Sequence, residues 1–256
     1  MNLINLIYFS LTFIIGISAK HVKIVGGYKV DIVDFPYAVS LRYFKQNQHF
    51  CGGSIISEWH ILTAAHCLYK KEHRYHNMKI YTGSVSTMRA NGTNFDIGNV
   101  FIHPQYRLVQ SEHIIEHHDI AIIVTTAMIH FNEFQQKIKL PSTPVIADKV
   151  GILVGWGATN FNSTQAANEL QFLEMAIFDN MFCAKFLFFT LQDEQFCAFH
   201  NENAGAYVGD SGTPLTINDE VVGIVSFSCG CNEAYPDIYT KIYSYLDFIN
   251  DIIMKK

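Results

Sequence analysis

Residues 37–56 read YAVSLRYFKQNQHFCGGSII and contain two runs of strand length that are rich in β-branched and aromatic side chains. Further alternating or apolar runs follow along the chain: MKIYTG, DIGNVFI, DIAIIV, KVGILVGWG, LQFLEMAIF, EVVGIVSF and DIYTKI. Gly, Asn and Pro separate these runs, and few helical periods lie between them. Short strands with turn residues between them predict an all-β sandwich or barrel protein.

Two further features organise the chain. The LPSTP segment at residues 140–144 divides the strands into two comparable sets, which predicts two β units. Near the C-terminus, apolar residues recur at helical spacing, at Ile242, Leu246, Ile249 and Ile253. This period predicts a C-terminal α-helix that packs against the second unit.

The overall composition is that of a globular protein. The chain has 256 residues, of which 49% are hydrophobic and 16% are charged, so we expect a sizeable core and no extended disorder. The net charge is −5, and the basic residues are scattered. Nucleic-acid binding needs a concentrated cationic face, so we do not expect a nucleic-acid partner.

The N-terminus predicts secretion. Residues 1–19 contain the apolar run NLINLIYFSLTFIIGISA, which ends in small residues and is short for a membrane span. We interpret it as a signal peptide cleaved after Ser18 or Ala19, which leaves an extracellular protein without a membrane partner. Two sequons, at Asn91 and Asn162, are compatible with that compartment. The six cysteines allow fifteen pairings, and the sequence alone does not choose among them.

Three residues stand in settings that suit acyl transfer. Ser211 lies in GAYVGDSGTPL, residues 205–215, and a serine nucleophile needs a base and an acid that orients this base. His66 follows two small alanines in WHILTAAHC, and Asp119 begins the apolar strand in HHDIAII. Taken singly, each residue has an ordinary structural interpretation: a core histidine, a strand-end cap and a turn serine.

The motifs are specific in combination. IVGG, CGGSII, LTAAHC, DIAII, GWG, GDSGTPL, GIVSF and YPDIYTK occur in this order from Ile24 to the C-terminus. In order and approximate spacing the chain resembles the chymotrypsin-like (trypsin-fold) serine proteases, and within them it is most similar to insect chymotrypsin-like enzymes. The resemblance implies an all-β fold of two six-stranded antiparallel β-barrels, at residues 24–139 and 140–256. The second range includes the C-terminal helix, and the active site lies between the barrels.

The resemblance also implies roles for single residues. Ser211 would attack the scissile carbonyl, His66 would act as base and then as acid, and Asp119 would orient His66. The N–H groups of Gly209 and Ser211 would form the oxyanion hole. Disulfides would join Cys51 to Cys67 and Cys183 to Cys197.

Activation by cleavage is a further implication of the resemblance. Residues 20–23 would form a short propeptide, and cleavage after Lys23 would free the α-amino group of Ile24. This group is mostly cationic at neutral pH, and it would turn inward to pair with Asp210. A trypsin-like protease is the expected activator.

The specificity pocket is expected to be apolar. Gly205 stands where trypsin-like members carry a floor aspartate, so we expect a preference for Tyr, Phe and Leu. Ser226, Phe227 and Ser228 would line the wall, and Ser228 would narrow the entrance. Asp237 stands where glycine is usual. It either reaches the pocket and supports secondary cleavage after Lys or Arg, or points away and bonds to backbone.

The chain departs from the family pattern at three places. A cysteine usually stands where this chain has Tyr207, so Cys231 lacks that partner, and a bond to Cys229 would be near the geometric limit. Thr213 replaces a glycine just after the nucleophile, and it either tightens the turn or displaces the serine. Phe227 stands where tryptophan is commoner.

A competing motif overlaps the Asp119 region. His113, Glu116 and His117 match H-x-x-E-H, the inverted zinc-peptidase signature. Zinc binding would need this stretch on a helix with a further acidic ligand, whereas its surroundings predict strand and loop. A solvated histidine-rich loop is the preferred interpretation, and we expect no metal and no cofactor.

The sequence therefore predicts a secreted, monomeric serine endopeptidase that acts on protein or peptide substrates and is open to protein inhibitors. Two alternatives remain at this point. One is a non-catalytic serine-protease homologue that acts as a binding protein. The other is an active protease with trypsin-like or mixed specificity through Asp237.

Overall fold

The computed structural model describes residues 25–88, 92–110, 114–160, 163–187, 189–201, 204–228 and 235–255. Several predictions fall outside these ranges: the signal peptide and cleavage site within residues 1–24, both sequons, His113, Cys229 and Cys231. Within the described ranges, no helix is long and apolar enough to cross a membrane.

Strands dominate the described chain. They are β1 (Tyr28–Lys29), β2 (Ala38–Tyr43), β3 (Gln48–Ile55), β4 (His60–Thr63), β5 (Met78–Thr82), β6 (Thr93–Ile102), β7 (Arg107–Gln110), β8 (Ile114–His117), β9 (Ala121–Thr125), β10 (Val150–Gly155), β11 (Gln171–Phe178), β12 (Gln195–Phe199), β13 (Pro214–Ile217), β14 (Glu220–Phe227) and β15 (Asp237–Lys241). The α-helices are α1 (Asn180–Cys183) and α2 (Leu246–Ile253), and short 3-10 helices lie at Ile32–Asp34, Ala65–Cys67, Glu72–Asn77 and Ile242–Tyr245.

Six strands close the first barrel in the order β2-β3-β4-β9-β6-β5, and β5 pairs back with β2. All neighbouring pairs are antiparallel. Along β5, Met78, Ile80 and Thr82 are buried, whereas the residues between them are partly exposed. This strand period of two gives the sheet one apolar face, and the barrel closes around that face.

The second barrel has the order β11-β10-β13-β14-β15-β12 and closes through the antiparallel pairing of β11 with β12. Strand β1 extends this sheet, with Tyr28 opposite Phe172, so the first strand in sequence belongs to the second barrel. Two closed, six-stranded antiparallel barrels with a C-terminal helix confirm the predicted fold class.

The apolar face of helix α2 joins a cluster with residues from both barrels, so its packing extends beyond the second barrel that the sequence predicted. Its buried Ile249 and Ile252 belong to an apolar cluster that contains the first-barrel core and also Val221 and Ile224 of β14 in the second barrel. Phe248 packs edge-on against His103, with ring centroids 4.9 Å apart. The helical period shows which face of the helix is apolar, but it does not show which barrel that face covers.

The hairpin of β7 and β8 lies between β6 and β9 in the sequence, just before Asp119, and forms a separate two-stranded sheet. The two strands pair antiparallel, with Arg107 opposite His117, and β8 ends two residues before Asp119. Glu116 and His117 are therefore strand residues, so the helical zinc-peptidase interpretation of this motif does not apply.

Candidate active site

Paired strands of the first barrel bring His66 and Asp119 together. His66 lies in the 3-10 helix Ala65–Cys67 just after β4, and Asp119 lies just before β9. Because β4 and β9 are antiparallel, with Thr63 opposite Ala121, the end of one strand lies beside the start of the other. This register puts the two side chains in contact.

The Asp119 carboxylate orients His66. Its Oδ2 accepts a hydrogen bond from His66 Nδ1 at 2.8 Å, and its Oδ1 accepts one from the His66 backbone N–H at 2.9 Å. The second barrel also holds Asp119, because Ser226 Oγ donates to Oδ2 at 2.7 Å and Thr240 Oγ1 donates to the carbonyl at 2.9 Å. With Nδ1 donating, Nε2 of a neutral His66 is left as the proton acceptor.

The Asp119 carboxyl is ionised in this setting. Burial alone would raise its pKa, but the charge and hydrogen bonds of His66, together with the Ser226 hydroxyl, outweigh that effect and hold the pKa below its usual value. The side chain has no solvent exposure. A buried anion against His66 suits the formation of an imidazolium.

The loop that carries Ser211 packs against the histidine segment. The Ser211 carbonyl accepts a hydrogen bond from Gly52 N–H at 2.8 Å. Gly212 has a φ of +76°, and a Cβ at this position would collide with Thr63 Oγ1. Glycine is thus required both by the backbone and by the close approach of the two segments. Among the described residues, no hydrogen bond joins Ser211 Oγ to His66, a contact that often forms only when substrate binds.

The peptide unit of Gly209 is held in place by a buried histidine. Gly209 has a φ of +100°, and its carbonyl accepts a hydrogen bond from His49 Nε2 at 2.8 Å. Ser40 Oγ lies 2.7 Å from His49 Nδ1, and burial lowers the pKa of His49 to about 4. A neutral His49 therefore accepts from Ser40 and donates to Gly209, which fixes the loop just before Asp210 and Ser211.

Asp210 ties this loop together from inside. Its carboxylate accepts hydrogen bonds from Gly157 N–H at 2.8 Å and Tyr207 N–H at 3.0 Å, and its carbonyl accepts one from Thr213 N–H at 2.9 Å. The side chain is fully buried, and burial raises its pKa to about 7 against the opposing effect of the two carboxylate bonds. Among the described residues, no ion pair involves Asp210.

The departure at Thr213 is accommodated by two glycines. Thr213 is fully buried. A Cβ on Gly52 would collide with Thr213 Oγ1, and one on Gly155 would lie 2.9 Å from the same atom. The threonine thus occupies space that these glycines leave open, and the backbone bonds of the loop remain formed.

Asp237 lies directly beneath Gly205. Its Oδ2 accepts a hydrogen bond from Ala206 N–H at 2.7 Å, and a Cβ on Gly205 would lie only 2.9 Å from the same oxygen. The side chain is buried, and this burial raises the pKa of Asp237 to about 7. Of the two orientations left open by the sequence, the carboxylate adopts the one that bonds to backbone, next to Gly205.

The expected wall residues differ in what their side chains do. The Ser226 hydroxyl bonds to Asp119, so this side chain belongs to the histidine site. Ser228 Oγ donates to the Ala206 carbonyl at 2.6 Å. Phe227 packs at the edge of an apolar cluster that contains Cys183 and Cys197.

Two disulfides brace the region, Cys51 to Cys67 and Cys183 to Cys197, the pairings that the resemblance implied. Cys67 directly follows His66, so the first bond joins the histidine segment to β3. On the chain-entropy view, a bond that closes a loop of this length contributes about 3 kcal/mol.

Sequence reasoning did not identify Glu116 as a neighbour of His66. Glu116 Oε2 lies 3.2 Å from His66 Nδ1, and it accepts a hydrogen bond from Tyr106 OH at 3.0 Å. In the sequence, Glu116 stands out only as part of the H-x-x-E-H zinc signature. Its approach to His66 depends on how the β7–β8 hairpin folds back.

A metal ion is geometrically conceivable at one cluster. Single ligand atoms of His66, Glu116 and Asp119 lie within 4.8 Å of one another. A second cluster, Cys51, His66 and Cys67, offers no thiolates, because both cysteines are in a disulfide. In the first cluster, Nδ1 already donates to Asp119, so the described geometry is that of a proton-holding site.

The fold and the neighbouring serine, histidine and aspartate define a class, the two-barrel serine endopeptidases. A family model described as Trypsin matches residues 24–249. Chymotrypsin-2 of Vespa crabro is 36% identical over 227 residues, covering 88% of this chain and 98% of that protein. Trypsin of Phaedon cochleariae is 32% identical over 252 residues, covering 90% and 88%. Human putative trypsin-6 is 32% identical over 233 residues, covering 90% of each.

The chain belongs to the trypsin family of serine endopeptidases. It is a hydrolase of peptide bonds, and its relatives are named both as chymotrypsin and as trypsin.

Proposed function

We propose that this chain is a secreted serine endopeptidase in which Ser211 is the nucleophile, His66 the base and Asp119 the acid that orients it. The observation that carries the proposal is the bond of 2.8 Å between His66 Nδ1 and Asp119 Oδ2, beside the loop of Ser211. An oriented histidine next to a serine is the arrangement that acyl transfer needs.

The proposed reaction has two halves. Ser211 Oγ attacks the carbonyl carbon while its proton moves to His66 Nε2, and the carbonyl oxygen becomes an oxyanion at the N–H groups of Gly209 and Ser211. The tetrahedral species collapses, the C–N bond breaks, and the leaving amine takes the proton from His66. Water then attacks the acyl-enzyme by the same route and frees Ser211. Asp119 stays ionised throughout.

Ser211→Ala tests the nucleophile. We expect the variant to fold normally and to lose turnover by roughly 10⁴-fold or more, because no covalent intermediate can form. The wild-type mature chain should react once per molecule with a fluorophosphonate probe and should be indifferent to EDTA. Undiminished cleavage by Ser211→Ala would contradict the proposal, and a wild-type chain that never reacts with the probe would favour a binding protein.

The proposed specificity is chymotrypsin-like, with Tyr, Phe and Leu preferred before the scissile bond. Support comes from Gly205, which adds no side chain to the pocket floor. Burial of a large apolar side chain contributes about 1.5–3 kcal/mol. Secondary cleavage after Lys or Arg depends on Asp237, the one carboxylate beneath that floor among the described residues.

Activation by cleavage after Lys23 is also proposed, following signal-peptide removal at residues 1–19 and loss of the propeptide 20–23. Support comes from the next residues along the chain: the Val25 carbonyl accepts a hydrogen bond from Gly205 N–H at 3.1 Å. This bond anchors the segment after the cleavage site beside the 205–211 loop. The Ile24 α-ammonium would supply the cation that the buried Asp210 carboxylate needs.

The proposed partners are protein or peptide substrates, a trypsin-like activating protease and protein inhibitors. Extracellular localisation follows from the signal peptide, and a monomer is proposed because one chain carries all the residues that the reaction uses.

A further inference from the structure

The His66 imidazole faces two carboxylates. Asp119 Oδ2 lies 2.8 Å from His66 Nδ1, and Glu116 Oε2 lies 3.2 Å from the same nitrogen. The Glu116 side chain is only 14% exposed, so water screens this contact weakly. The acyl-transfer mechanism described above uses Asp119 and leaves Glu116 without a role.

Glu116 is held in this position by its surroundings. Strand β8 ends one residue after it and places it beside the segment that leads to Asp119. Tyr106 OH donates to Glu116 Oε2 at 3.0 Å, and this is the oxygen that approaches His66. A tyrosine hydroxyl on a carboxylate is a charge-assisted bond, which favours the ionised form and limits its rotation.

One Nδ1–H group therefore meets two carboxylate oxygens that lie within 4.8 Å of each other. Two like charges this close repel, and their repulsion is relieved when the imidazole between them carries a positive charge. Asp119 is further stabilised by the Ser226 hydroxyl. The geometry thus favours the imidazolium more than a single carboxylate would.

Other titratable groups around this cluster act less directly. Lys71 Nζ donates to the His66 carbonyl at 3.1 Å and to the Cys67 carbonyl at 2.9 Å, not to a carboxylate. His118, next to Asp119, has its Nδ1 3.0 Å from Tyr245 OH. Among the described residues, Asp119 and Glu116 are therefore the charged groups with an oxygen within 4.0 Å of His66 Nδ1, Asp119 through a hydrogen bond and Glu116 through an ion-pair contact.

We propose that Glu116 is a positioning residue for the base: it shares the His66 Nδ1–H with Asp119 and holds positive charge on the imidazole. This inference rests on the proposed role of His66. It has two opposite consequences. The imidazolium formed during acyl transfer gains a second partner, which speeds turnover, and the resting base keeps its proton to higher pH, which delays the onset of activity.

The electrostatics of the ring agree with this geometry. Burial would lower the pKa of His66, but the charges and hydrogen bonds of Asp119 and then of Glu116 outweigh it and raise the pKa to about 10. Glu116 itself has a raised pKa, because burial outweighs its bonds to His66 and Tyr106. The raised pKa of Glu116 therefore comes from burial and from the nearby Asp119 charge, and the raised pKa of His66 comes from its two carboxylate neighbours.

Glu116→Gln tests the charge while keeping the shape and a bond acceptor for Tyr106. In the activated enzyme we expect the acid limb of kcat/KM to move down by about 1 pH unit. The plateau at high pH should fall by about three- to tenfold, because one pKa unit equals a tenfold change in the stability of the charged form. Well below the limb the two effects nearly cancel, so kcat/KM there should change by no more than about threefold, whereas the plateau falls.

Glu194→Gln is the matched control, because Glu194 interacts electrostatically with His103 and His117 and is not among the described charged neighbours of His66. It removes the same charge from this side of the molecule and should leave both the limb and the plateau unchanged. An equal shift in Glu194→Gln would overturn the proposal, because it would show a general field effect.

A second measurement separates this inference from the proposed mechanism. In a Ser211→Ala background, which needs no activity, ¹⁵N NMR follows the titration of His66 with and without Glu116→Gln. A downward shift of the His66 midpoint is expected. An unchanged midpoint, or a change confined to KM for some peptides with an unchanged pH profile, would overturn the role of Glu116 and leave Ser211 and His66 untouched.

Discussion

At the scale of single residues, the protonation state of Asp237 determines whether the proposed pocket favours a cationic substrate side chain. Its carboxylate lies beneath Gly205 and is buried, so its pKa is raised to about 7. Below that pH the group is mostly neutral and an apolar side chain meets no charge. Above it the carboxylate is ionised, and a Lys or Arg side chain gains a partner.

We therefore expect the ratio of Arg to Tyr cleavage to rise between about pH 6 and pH 8, and Asp237→Gly to abolish this rise. Asp237→Gly should also depress cleavage after Arg while it spares or improves cleavage after Tyr. Fluorogenic peptides that differ only before the scissile bond measure both effects. If Arg peptides exceed Tyr peptides tenfold in kcat/KM in the wild type, which is about 1.4 kcal/mol, the chymotrypsin-like assignment is wrong.

The residues of the site differ in how far the sequence could predict them. His66, Asp119 and Ser211 lie in local motifs, and the structure brings His66 and Asp119 of these three into direct contact. The sequence also showed Asp237 near the expected pocket. Its orientation depends on the hydrogen bond from the Ala206 N–H, which lies far from Asp237 in the sequence. The sequence did not predict the contact between Glu116 and His66, because this contact forms only when the β7–β8 hairpin is folded.

At the scale of elements, the two barrels meet where β3 faces the loop before β13. Gly52 on β3 donates its N–H to the Ser211 carbonyl, and its bare Cα leaves space for Thr213. A glycine and a threonine that fit together across the barrels explain why a residue larger than glycine is tolerated after the nucleophile. The family pattern marked Thr213 as a departure, but only packing shows its compensation.

Gly52→Ala should therefore destabilise the protein by about 1–3 kcal/mol, because the new Cβ would collide with Thr213 Oγ1. Thr213→Gly in the same chain should restore most of the loss. Urea unfolding of the parent, the two single variants and the double variant measures the coupling between positions 52 and 213. All four carry Ser211→Ala, which prevents autolysis. Additive effects of the two substitutions would contradict this packing argument.

Elements also show where periodicity is sufficient and where it is not. The alternation along β5 predicted a buried face, and the barrel interior contains that face. The helical period near the C-terminus predicted α2, but it did not predict the contact of Phe248 with His103, which follows β6 of the first barrel. Hydrophobic periodicity therefore predicts whether a segment is a helix or a strand, but it does not predict which part of the fold that segment packs against.

At the scale of the whole molecule, activation joins the N-terminus to the site between the barrels. Asp210 is fully buried, its carboxylate is bonded only to N–H groups among the described residues, and burial raises its pKa to about 7. A cationic partner would keep this carboxylate ionised at neutral pH. The bond from Gly205 N–H to the Val25 carbonyl shows that the chain just after Ile24 reaches this region.

We expect cleavage after Lys23 to be required for activity, so that Lys23→Gln gives an inert precursor that trypsin does not rescue. The free energy of unfolding should also depend on the pairing of the Ile24 α-ammonium with Asp210. The free α-amino group has a pKa near ~8 when unfolded, and a carboxylate partner raises it in the folded state. Its contribution is thus fully present below about pH 8 and is lost as the pH rises through the higher folded value.

Trypsin-treated and untreated Ser211→Ala chains, compared by urea unfolding at pH 7 and pH 10, measure this contribution. The cleaved chain should be more stable at pH 7, by about 1–3 kcal/mol, and the difference should shrink at pH 10. Asp210→Asn is the matched control, because it keeps the shape and removes the charge that the α-ammonium pairs with. A pH-independent difference, or one that persists in Asp210→Asn, would show that cleavage acts through chain removal and not through an ion pair at Asp210.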